Sequence, residues 1–304
     1  VYNANKNTIV VLESGSSLDL SAISNVPAIM EAWYGGQAQG QAICDAIFGD
    51  INPSGHLTST WYADINELPQ ASESSIGKNG ANGMLEYNID DWGYTYMYYG
   101  KATKKTQKGT PQYYFGHGLS YTTFDYTDAS ATTPTVNSNG TVSVTIKNTG
   151  DRRGADVIQV YANFNGNSNF GTLNKRLVGF KRVELDPQEV QTVQIPVSYR
   201  SLSYYSESAH QFLVDGQQVT LQVSTSAADA DIQKTVNITP AAGVADDTYI
   251  STHIDEIPEV KRASQLLATD HIYTVMGAYV CAAYDYDRLP KGIYVLNGVK
   301  YIKK

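Results

Sequence analysis

The sequence has few cysteines, little positive charge and no long apolar run. Its two cysteines, Cys44 and Cys281, stand far apart, so the 304 residues predict neither a disulfide framework nor a metal site. The helical pattern around Cys44 favours a buried thiol. Lys and Arg number 22 against 30 Asp and Glu, and the formal net charge of −8 argues against a nucleic acid or an anionic membrane as partner. No apolar run approaches the roughly 20 residues of a membrane span, and no Lys-Ser/Thr follows Tyr34–Gln37 to make a phosphate-binding loop, so no cofactor is predicted.

The first residues follow the pattern of an α/β domain. There is neither an initiator methionine nor a signal peptide, and we expect the chain to begin inside a domain. Thr8–Leu12 predicts a buried parallel strand, and Val26–Trp33 predicts a second strand. Apolar spacing predicts a helix over Gln37–Phe48 that ends at Gly49. This order is typical of the last part of an α/β domain, over 1–75, whose other strands would lie upstream.

Beyond this domain the character of the sequence changes twice. Residues 76–124 lack periodicity and predict a long loop and connector that contains an aromatic block at 92–99. From 125 to 240 the apolar period becomes two, which predicts an antiparallel sandwich of immunoglobulin-like type. Its clearest strands are Thr141–Lys147, Asp156–Tyr161, Leu177–Leu185, Val190–Val197 and Val219–Val223. The tail at 241–304 begins as an acidic linker and predicts two or three short strands around a turn at Pro290.

No group of residues identifies a catalytic site by its spacing. Hydrolysis of a glycosidic bond needs two carboxylates, and Glu13, Asp45 and Asp90-Asp91 show no spacing that pairs them. Glu13 is the best-placed candidate because it follows a predicted strand, and α/β sheets bind ligands at the carboxyl ends of their strands. The commoner role of such a residue is that of a hydrogen-bonded loop carboxylate. His56 and His117 lie in glycine-containing turns, and for each we expect a turn histidine whose hydrogen-bonding groups are satisfied.

Three segments together resemble the C-terminal half of the family 3 glycoside hydrolases. The first runs from Asn5–Leu12 through Ala38–Gly40 to Asn52–Leu57 and is similar to the family's "GQxxG" and "PsGrL" region. The second, Tyr113–Phe124, is similar to "YxFGxGLSYTxF", and the third, Leu177–Leu185, to the strand "LxGFxxVxL". The match covers about the first 240 residues. It implies a mixed fold, in which a partial α/β sandwich domain is followed by an immunoglobulin-like (fibronectin-III-like) β-sandwich and a short β-rich C-terminal tail.

The resemblance also implies where the chemistry lies. In the family an N-terminal barrel carries the nucleophilic Asp, and the acid/base Glu precedes the strand matched by Thr8–Leu12, so both would fall upstream of Val1. No residue here matches either motif, and no catalytic residue is assigned. The resemblance implies a retaining, exo-acting β-glycosidase with an upstream barrel and an oligosaccharide as partners, and an isolated chain without activity. Gly35 and His56 depart from family positions that usually hold Pro and Arg or Lys.

Two short patterns bear on the sugar. Gln37-Ala38 stands where glucosidases of the family tend to have "GQE", and Gly93–Tyr99 fits the xylosidase pattern "GxTYxxY" while half-fitting the glucosidase "GYxY". We favour a β-xylosidase acting on xylan oligomers; a β-glucosidase and a non-catalytic carbohydrate-binding or scaffolding module are the alternatives. The tail from Ile272 to Gly298 resembles C-terminal domains of bacterial proteins exported by type IX secretion. It favours a secreted, periplasmic or cell-surface location, and a capping β-unit is the alternative.

The aromatic block is the second candidate for a sugar-binding surface. We predict that Trp92, Tyr94 and Tyr96 line the substrate pocket together with Glu13, because an extended segment would place Tyr94, Tyr96 and Tyr98 on one face. The alternative is that the block only anchors its loop. Stability is expected to differ along the chain: the first 70 residues should be the least stable part, because their sheet lacks neighbours, whereas the sandwich should fold alone.

Overall fold

The computed structural model describes residues 1–63, 95–99 and 111–245, and the backbone of four strands between 271 and 303. The chain forms two compact units, Val1–Ala245 and Asp246–Lys304. The first unit holds an α/β part at the start of the chain, a connecting segment and a β-sandwich. No helix in the described ranges is long and apolar enough to cross a membrane.

The α/β part, residues 1–63, is built on two parallel strands and one helix. Strand β1 (Ile9–Leu12) pairs in parallel with β2 (Ala28–Glu31), and helix α1 spans Gln39–Phe48. Both predicted strands and the predicted helix are confirmed with shorter bounds. The prediction that the first strand is buried is wrong, because in the described residues only β2 pairs with it and none of its residues is fully buried. The helix ends at Gly49, whose φ of 81° is readily adopted only by glycine.

Much of the surface of the α/β part is open. Ile9 of β1 is 48% exposed, and the other apolar residues of the two strands are no more than half-buried. Cys44 is exposed, so the prediction of a buried thiol is wrong. The reason is the geometry of the helix. In α1 only Ala46 is fully buried, and Cys44, two positions before it, points about 200° away around the helix axis, toward the opposite, open side.

The β-sandwich, residues 124–245, consists of antiparallel strands in two main sheets and one small sheet. Its strands are β3 (Phe124–Thr132), β4 (Gly140–Asn148), β5 (Gly154–Asn163), β6 (Arg176–Leu185), β7 (Val190–Val197), β8 (Tyr204–Ser206), β9 (Gln211–Val214), β10 (Val219–Ser224), β11 (Ile232–Ile238) and β12 (Gly243–Val244). The sheet orders are β3–β4–β7, β11–β10–β5–β6 and β12–β9–β8. The predicted sandwich is confirmed, and each of its five clearest strands lies within an observed one.

Alternate residues of the facing strands fill the core of the sandwich. In β4, Val142, Val144 and Ile146 are buried and alternate with half-buried neighbours, as a period of two predicts. They belong to one apolar cluster with Ile158 and Val160 of β5. Burying one such side chain contributes about 1.5–3 kcal/mol, so this core stabilises the sandwich.

Strand β5 is buried on both of its faces. Ile158 and Val160 face the core, whereas Gln159 and Tyr161 lie on the opposite face and are buried as well. Residues 95–99 and 111–118 cover this second face. The alternation of buried and solvent-exposed residues that is expected for a strand with one solvated face is therefore absent from β5, because another part of the chain packs against its outer face.

The second unit, residues 246–304, contains a four-stranded antiparallel sheet. Its strands are β13 (His271–Thr274), β14 (Tyr279–Ala282), β15 (Gly292–Leu296) and β16 (Val299–Lys303), and they lie in the order β14–β13–β15–β16. The sequence predicts two or three strands here, whereas the described residues form four. Strands β13 and β14 are only four residues long, too short for a clear alternation of apolar residues. The predicted turn at Pro290 lies outside the described residues.

Candidate functional site

The loops that follow β1 and β2 meet at the carboxyl edge of the α/β part, where the carboxylate of Glu31 ties them together. One oxygen of Glu31 accepts hydrogen bonds from the backbone N–H of Ser14 at 3.3 Å and of Trp33 at 2.9 Å. The other oxygen lies 3.1 Å from the Ser14 hydroxyl, whose one proton it shares with the carbonyl oxygen of Ser16 at 2.8 Å. Three donors on one carboxylate fix both loops relative to the strands.

Two aromatic residues, Trp33 and Tyr34, lie two and three positions after Glu31. Trp33 has a φ of 52°, a left-handed conformation that bulky residues rarely adopt. Tyr34 is 76% exposed, and its ring lies across Gly15, where a Cβ would come within 2.9 Å of a ring carbon. The edge therefore presents a positioned aromatic ring with one open face, a flat amphipathic surface that suits a sugar ring.

Glu13 lies at the same edge, immediately after β1, and its side chain is exposed. Its place at the carboxyl end of a strand agrees with the sequence analysis; a role in the pocket stays a prediction. Of the other predicted pocket residues, Trp92 and Tyr94 lie outside the described residues. The described ranges contain no cluster of three His, Cys, Asp or Glu side chains that could hold a metal ion.

Tyr96 lies in a helical turn, α2 (Thr95–Tyr98), that packs on the sandwich. Its hydroxyl accepts a hydrogen bond from Leu177 N at 2.9 Å, and its ring stacks on Phe115 with centroids 4.4 Å apart. Burial raises the pKa of this hydroxyl. The expectation of an extended segment is wrong, since residues two apart in a helical turn point about 200° apart and Tyr96 and Tyr98 share no face. These contacts are those of an anchor, and pocket lining by Tyr96 stays a prediction.

The α/β part meets the sandwich along a contact that we call the seam, formed by residues 52–57, 113–122 and the first half of β5. Two backbone hydrogen bonds run across it, from Gly116 N to Leu57 O at 2.7 Å and from Leu57 N to His117 O at 2.8 Å. Gly118 allows this approach, because a Cβ there would lie 2.3 Å from the carbonyl oxygen of Gly55.

The carbonyl oxygen of Gly116 is the centre of the seam. It accepts from His56 Nδ1 at 2.6 Å and from Gln159 Nε2 at 3.0 Å. Gln159 also donates to Thr225 O at 2.6 Å and accepts from the Tyr161 hydroxyl at 2.5 Å. This buried network joins the connecting segment to the outer face of β5, and it explains why Gln159 and Tyr161 on that face are buried.

His56 also forms an ion pair with Asp156 of β5. His56 Nε2 lies 3.4 Å from one Asp156 oxygen, and the two side chains are only 11% and 12% exposed. Asp156 accepts further hydrogen bonds from the Tyr126 hydroxyl at 2.6 Å and from Val157 N at 2.8 Å. Burial acts to raise the pKa of Asp156, but His56 and these two donors outweigh it and hold that pKa below its ordinary value.

Asn52 fastens the neighbouring part of the seam. Its side-chain oxygen accepts from the Ser120 hydroxyl at 3.0 Å and from Tyr121 N at 2.8 Å, while its amide group donates to Arg153 O at 3.2 Å. The Tyr121 hydroxyl in turn donates to Ala46 O of α1 at 2.8 Å. The two sequence motifs that contain Asn52 and Tyr121 are therefore joined to each other by hydrogen bonds.

The two family models that match this chain correspond to the two parts that the seam joins. One, described as the glycosyl hydrolase family 3 C-terminal domain, matches residues 1–121, and the other, described as a fibronectin type III-like domain, matches residues 156–227. The chain carries the C-terminal domains of a family 3 glycoside hydrolase. The model of the family 3 domain thus extends through the connecting segment to Tyr121, where the seam is fastened by Asn52.

Several known glycosidases are similar to this chain over much of its length. Thermostable β-glucosidase B of Acetivibrio thermocellus is 29% identical over 269 residues, which are 88% of this chain and 34% of the relative. A β-xylosidase of Formosa agariphila is 33% identical over 243 residues, 79% of this chain and 31% of the relative. The solved structure of a β-glucosidase from Streptomyces venezuelae in complex with D-glucose has a TM-score of 0.69 at 31% identity, covering 79% of this chain and 29% of that structure. The chain therefore spans about a third of the length of the enzymes it matches.

Sequence reasoning missed two carboxylates that organise these contacts. Glu31 is the last residue of a short strand, and Asp156 lies near the start of a long one; neither position differs from that of an ordinary strand-end acid. His56 carried the one available signal, because it stands where the family usually has Arg or Lys and so marks a place for a cation. The predicted turn histidine with satisfied hydrogen-bonding groups is confirmed at His56, and its partners Gly116 and Asp156 lie far outside the turn.

Proposed function

We propose that this chain is the C-terminal, non-catalytic portion of an exo-acting β-glycosidase that releases terminal β-linked sugars from oligomers of plant polysaccharides. The observation that carries this proposal is the carboxyl edge of the α/β part, where the exposed Tyr34 and Glu13 stand beside the anchored carboxylate of Glu31. That edge offers binding groups without a pair of free carboxylates. The nucleophile and the acid/base are assigned to residues upstream of Val1, and an N-terminal barrel is the expected partner.

In this arrangement the edge binds and positions the substrate. Tyr34 offers a stacking face, and the carboxylate of Glu13 can accept hydrogen bonds from sugar hydroxyls. The hydrogen bonds of Glu31 and the seam keep this surface in one geometry, which favours catalysis by groups on another domain. The Asp of the barrel would attack the anomeric carbon while the Glu protonates the leaving oxygen, and water would then release the sugar with retained configuration.

We propose a β-xylosidase rather than a β-glucosidase. Ala38 precedes α1 as its N-cap residue and is exposed, so it offers only a methyl group where glucosidases of the family tend to carry Glu. The similar enzymes include both activities by name, so β-glucosidase is the alternative. For the protein as a whole we propose a secreted, periplasmic or cell-surface location, on the strength of its C-terminal tail.

Kinetics on two chromogenic substrates test the proposal. The chain alone and the chain joined to the barrel encoded upstream in its gene are assayed on nitrophenyl β-xyloside and β-glucoside. We expect no turnover by the chain alone, and turnover with the larger kcat/KM on the xyloside by the joined protein. Turnover by the chain alone that Glu13→Gln abolishes would contradict a non-catalytic role. A larger kcat/KM on the glucoside would replace β-xylosidase by β-glucosidase.

A carbohydrate-binding module is the second candidate, and the open face of Tyr34 is the observation that favours it. Such a module would bind xylo-oligosaccharides without the barrel. Titration calorimetry on the isolated chain and on Tyr34→Ala distinguishes the two: binding that the substitution abolishes supports the module, and no binding by either protein contradicts it.

A further inference from the structure

His56 joins the two parts of the first unit through both of its ring nitrogens. Nδ1 lies 2.6 Å from the carbonyl oxygen of Gly116, and Nε2 lies 3.4 Å from a carboxylate oxygen of Asp156. A carbonyl group and an ionised carboxylate can only accept hydrogen bonds. Both contacts are attractive when both ring nitrogens carry a proton, so this geometry favours the imidazolium cation.

We propose that His56 is a proton-operated clasp, which holds the α/β part on the β-sandwich while its ring carries two protons and loosens the seam when it loses one. A neutral ring that keeps its proton on Nδ1 for Gly116 turns the lone pair of Nε2 toward the Asp156 carboxylate. That contact then changes from attraction to repulsion inside a buried site. An Arg at the same place would stay charged and would not respond.

The groups around His56 favour its charged form. Asp156 faces it from β5 and is itself held in place by the Tyr126 hydroxyl of β3. Burial lowers the pKa of His56, but the Asp156 carboxylate and the Gly116 carbonyl outweigh it, and the pKa lies above its ordinary value. The net pKa shift thus has the direction that the geometry demands.

The third titratable neighbour, His117, faces His56 from the connecting segment. Burial lowers its pKa, and the charge of His56 adds to that effect while Asp231 opposes it. Its ring stacks on Tyr113 with centroids 5.1 Å apart. The pKa of His117 is lowered and that of His56 is raised, so His56 is charged over a pH range in which His117 is neutral.

The sign of the pH effect follows from these shifts. Because the pKa of His56 is raised on folding, its contribution to stability is complete below its ordinary pKa of about 6.5 and is lost as the pH rises through the folded value. The pKa of Asp156 is lowered, so its contribution is complete above about pH 4 and is lost as the pH falls further. The seam should therefore be most stable in mildly acidic solution and should loosen toward alkaline pH.

Hydrogen exchange on the complete chain tests the clasp. Amide protection is followed in β1, β2 and β4 from about pH 5 to about pH 9, after correction for the intrinsic exchange rate. We expect protection in β1 and β2 to fall about tenfold or more across the titration of His56, the effect of losing one buried ion pair. Protection in β4 should not change, and His56→Arg should abolish the pH response of β1 and β2.

Two further measurements keep the test decisive. His210→Gln alters an exposed histidine and should behave as the wild-type chain does. An NMR titration of the His56 ring, assigned with His56→Gln, should give a pKa above the ordinary value in the wild-type chain. A ring that titrates below that value overturns the proposal even if His56→Arg fails to fold. Equal loss of protection in β4, or a pH response that persists in His56→Arg, also overturns it.

Discussion

The substitution Gly116→Ala should destabilise the first unit strongly. Gly116 has a φ of 80°, which costs an L side chain about 1–2 kcal/mol. A Cβ there would lie 2.0 Å from Gln159 Oε1, so that side chain must move and give up its bonds to Thr225 O and the Tyr161 hydroxyl. Leaving buried groups unpaired costs about 1–3 kcal/mol each. With two such bonds lost, the total is about 3–8 kcal/mol, a large share of the ~5–15 kcal/mol that stabilises a typical domain.

Urea unfolding of the complete chain measures this loss, and two other glycines separate its causes. Gly166 has a φ of 75° and open space where a Cβ would stand, so Gly166→Ala should show the backbone cost alone, about 1–2 kcal/mol. Gly36 has neither a positive φ nor a close neighbour, and Gly36→Ala should change little. If Gly116→Ala costs no more than Gly166→Ala, the packing of Gln159 against Gly116 does not hold the seam together and the reasoning is refuted.

Three other perturbations test separate parts of the molecule. Glu31→Ala removes the acceptor for three hydrogen bonds and should cost about 2 kcal/mol in urea unfolding, while Glu31→Gln, which keeps one acceptor oxygen, should cost less; equal losses would contradict the anchoring role. In hydrogen exchange, amides of β1 and β2 should be less protected than those of β4, because fewer side chains are buried around them; equal protection would argue against this difference in stability. In the enzyme joined to its barrel, Trp92→Ala should raise KM for xylosides with little loss of stability, and unchanged kinetics on every sugar would make the aromatic block structural.

The elements that the sequence predicts well are those with a local pattern. Strand β4 has buried residues at every second position, and its bounds lie within one residue of the prediction. Helix α1 ends where a glycine permits the turn, and the sequence places that end at Gly49. The predicted extended segment at 95–98 fails because four residues with alternating aromatic rings do not distinguish a strand from a helical turn.

The candidate site is harder to predict because its contacts are long-range. His56 and Asp156 are brought together only by the packing of the α/β part on the sandwich, and no periodicity relates them. The same holds for Gln159, whose polar side chain looks like a solvated strand residue until Gly116 covers it. Sequence reasoning finds Glu13 by its position after a strand but has no means of finding Glu31, whose role depends on the loop geometry at Ser14 and Trp33.

The motifs that identify the family in this chain are explained by packing rather than by catalysis. Gly116 and Gly118 are required where the backbone turns with a positive φ and where it approaches Gly55 and His56. Asn52 binds the segment that follows these glycines. At both glycines a side chain would meet a neighbouring group within 2.3 Å, so the motif reflects this close packing. It does not identify the sugar, since none of its residues needs to touch one. Specificity must therefore be sought at the carboxyl edge of the α/β part and in the proposed barrel, and changes within the seam should affect stability before they affect the choice of substrate.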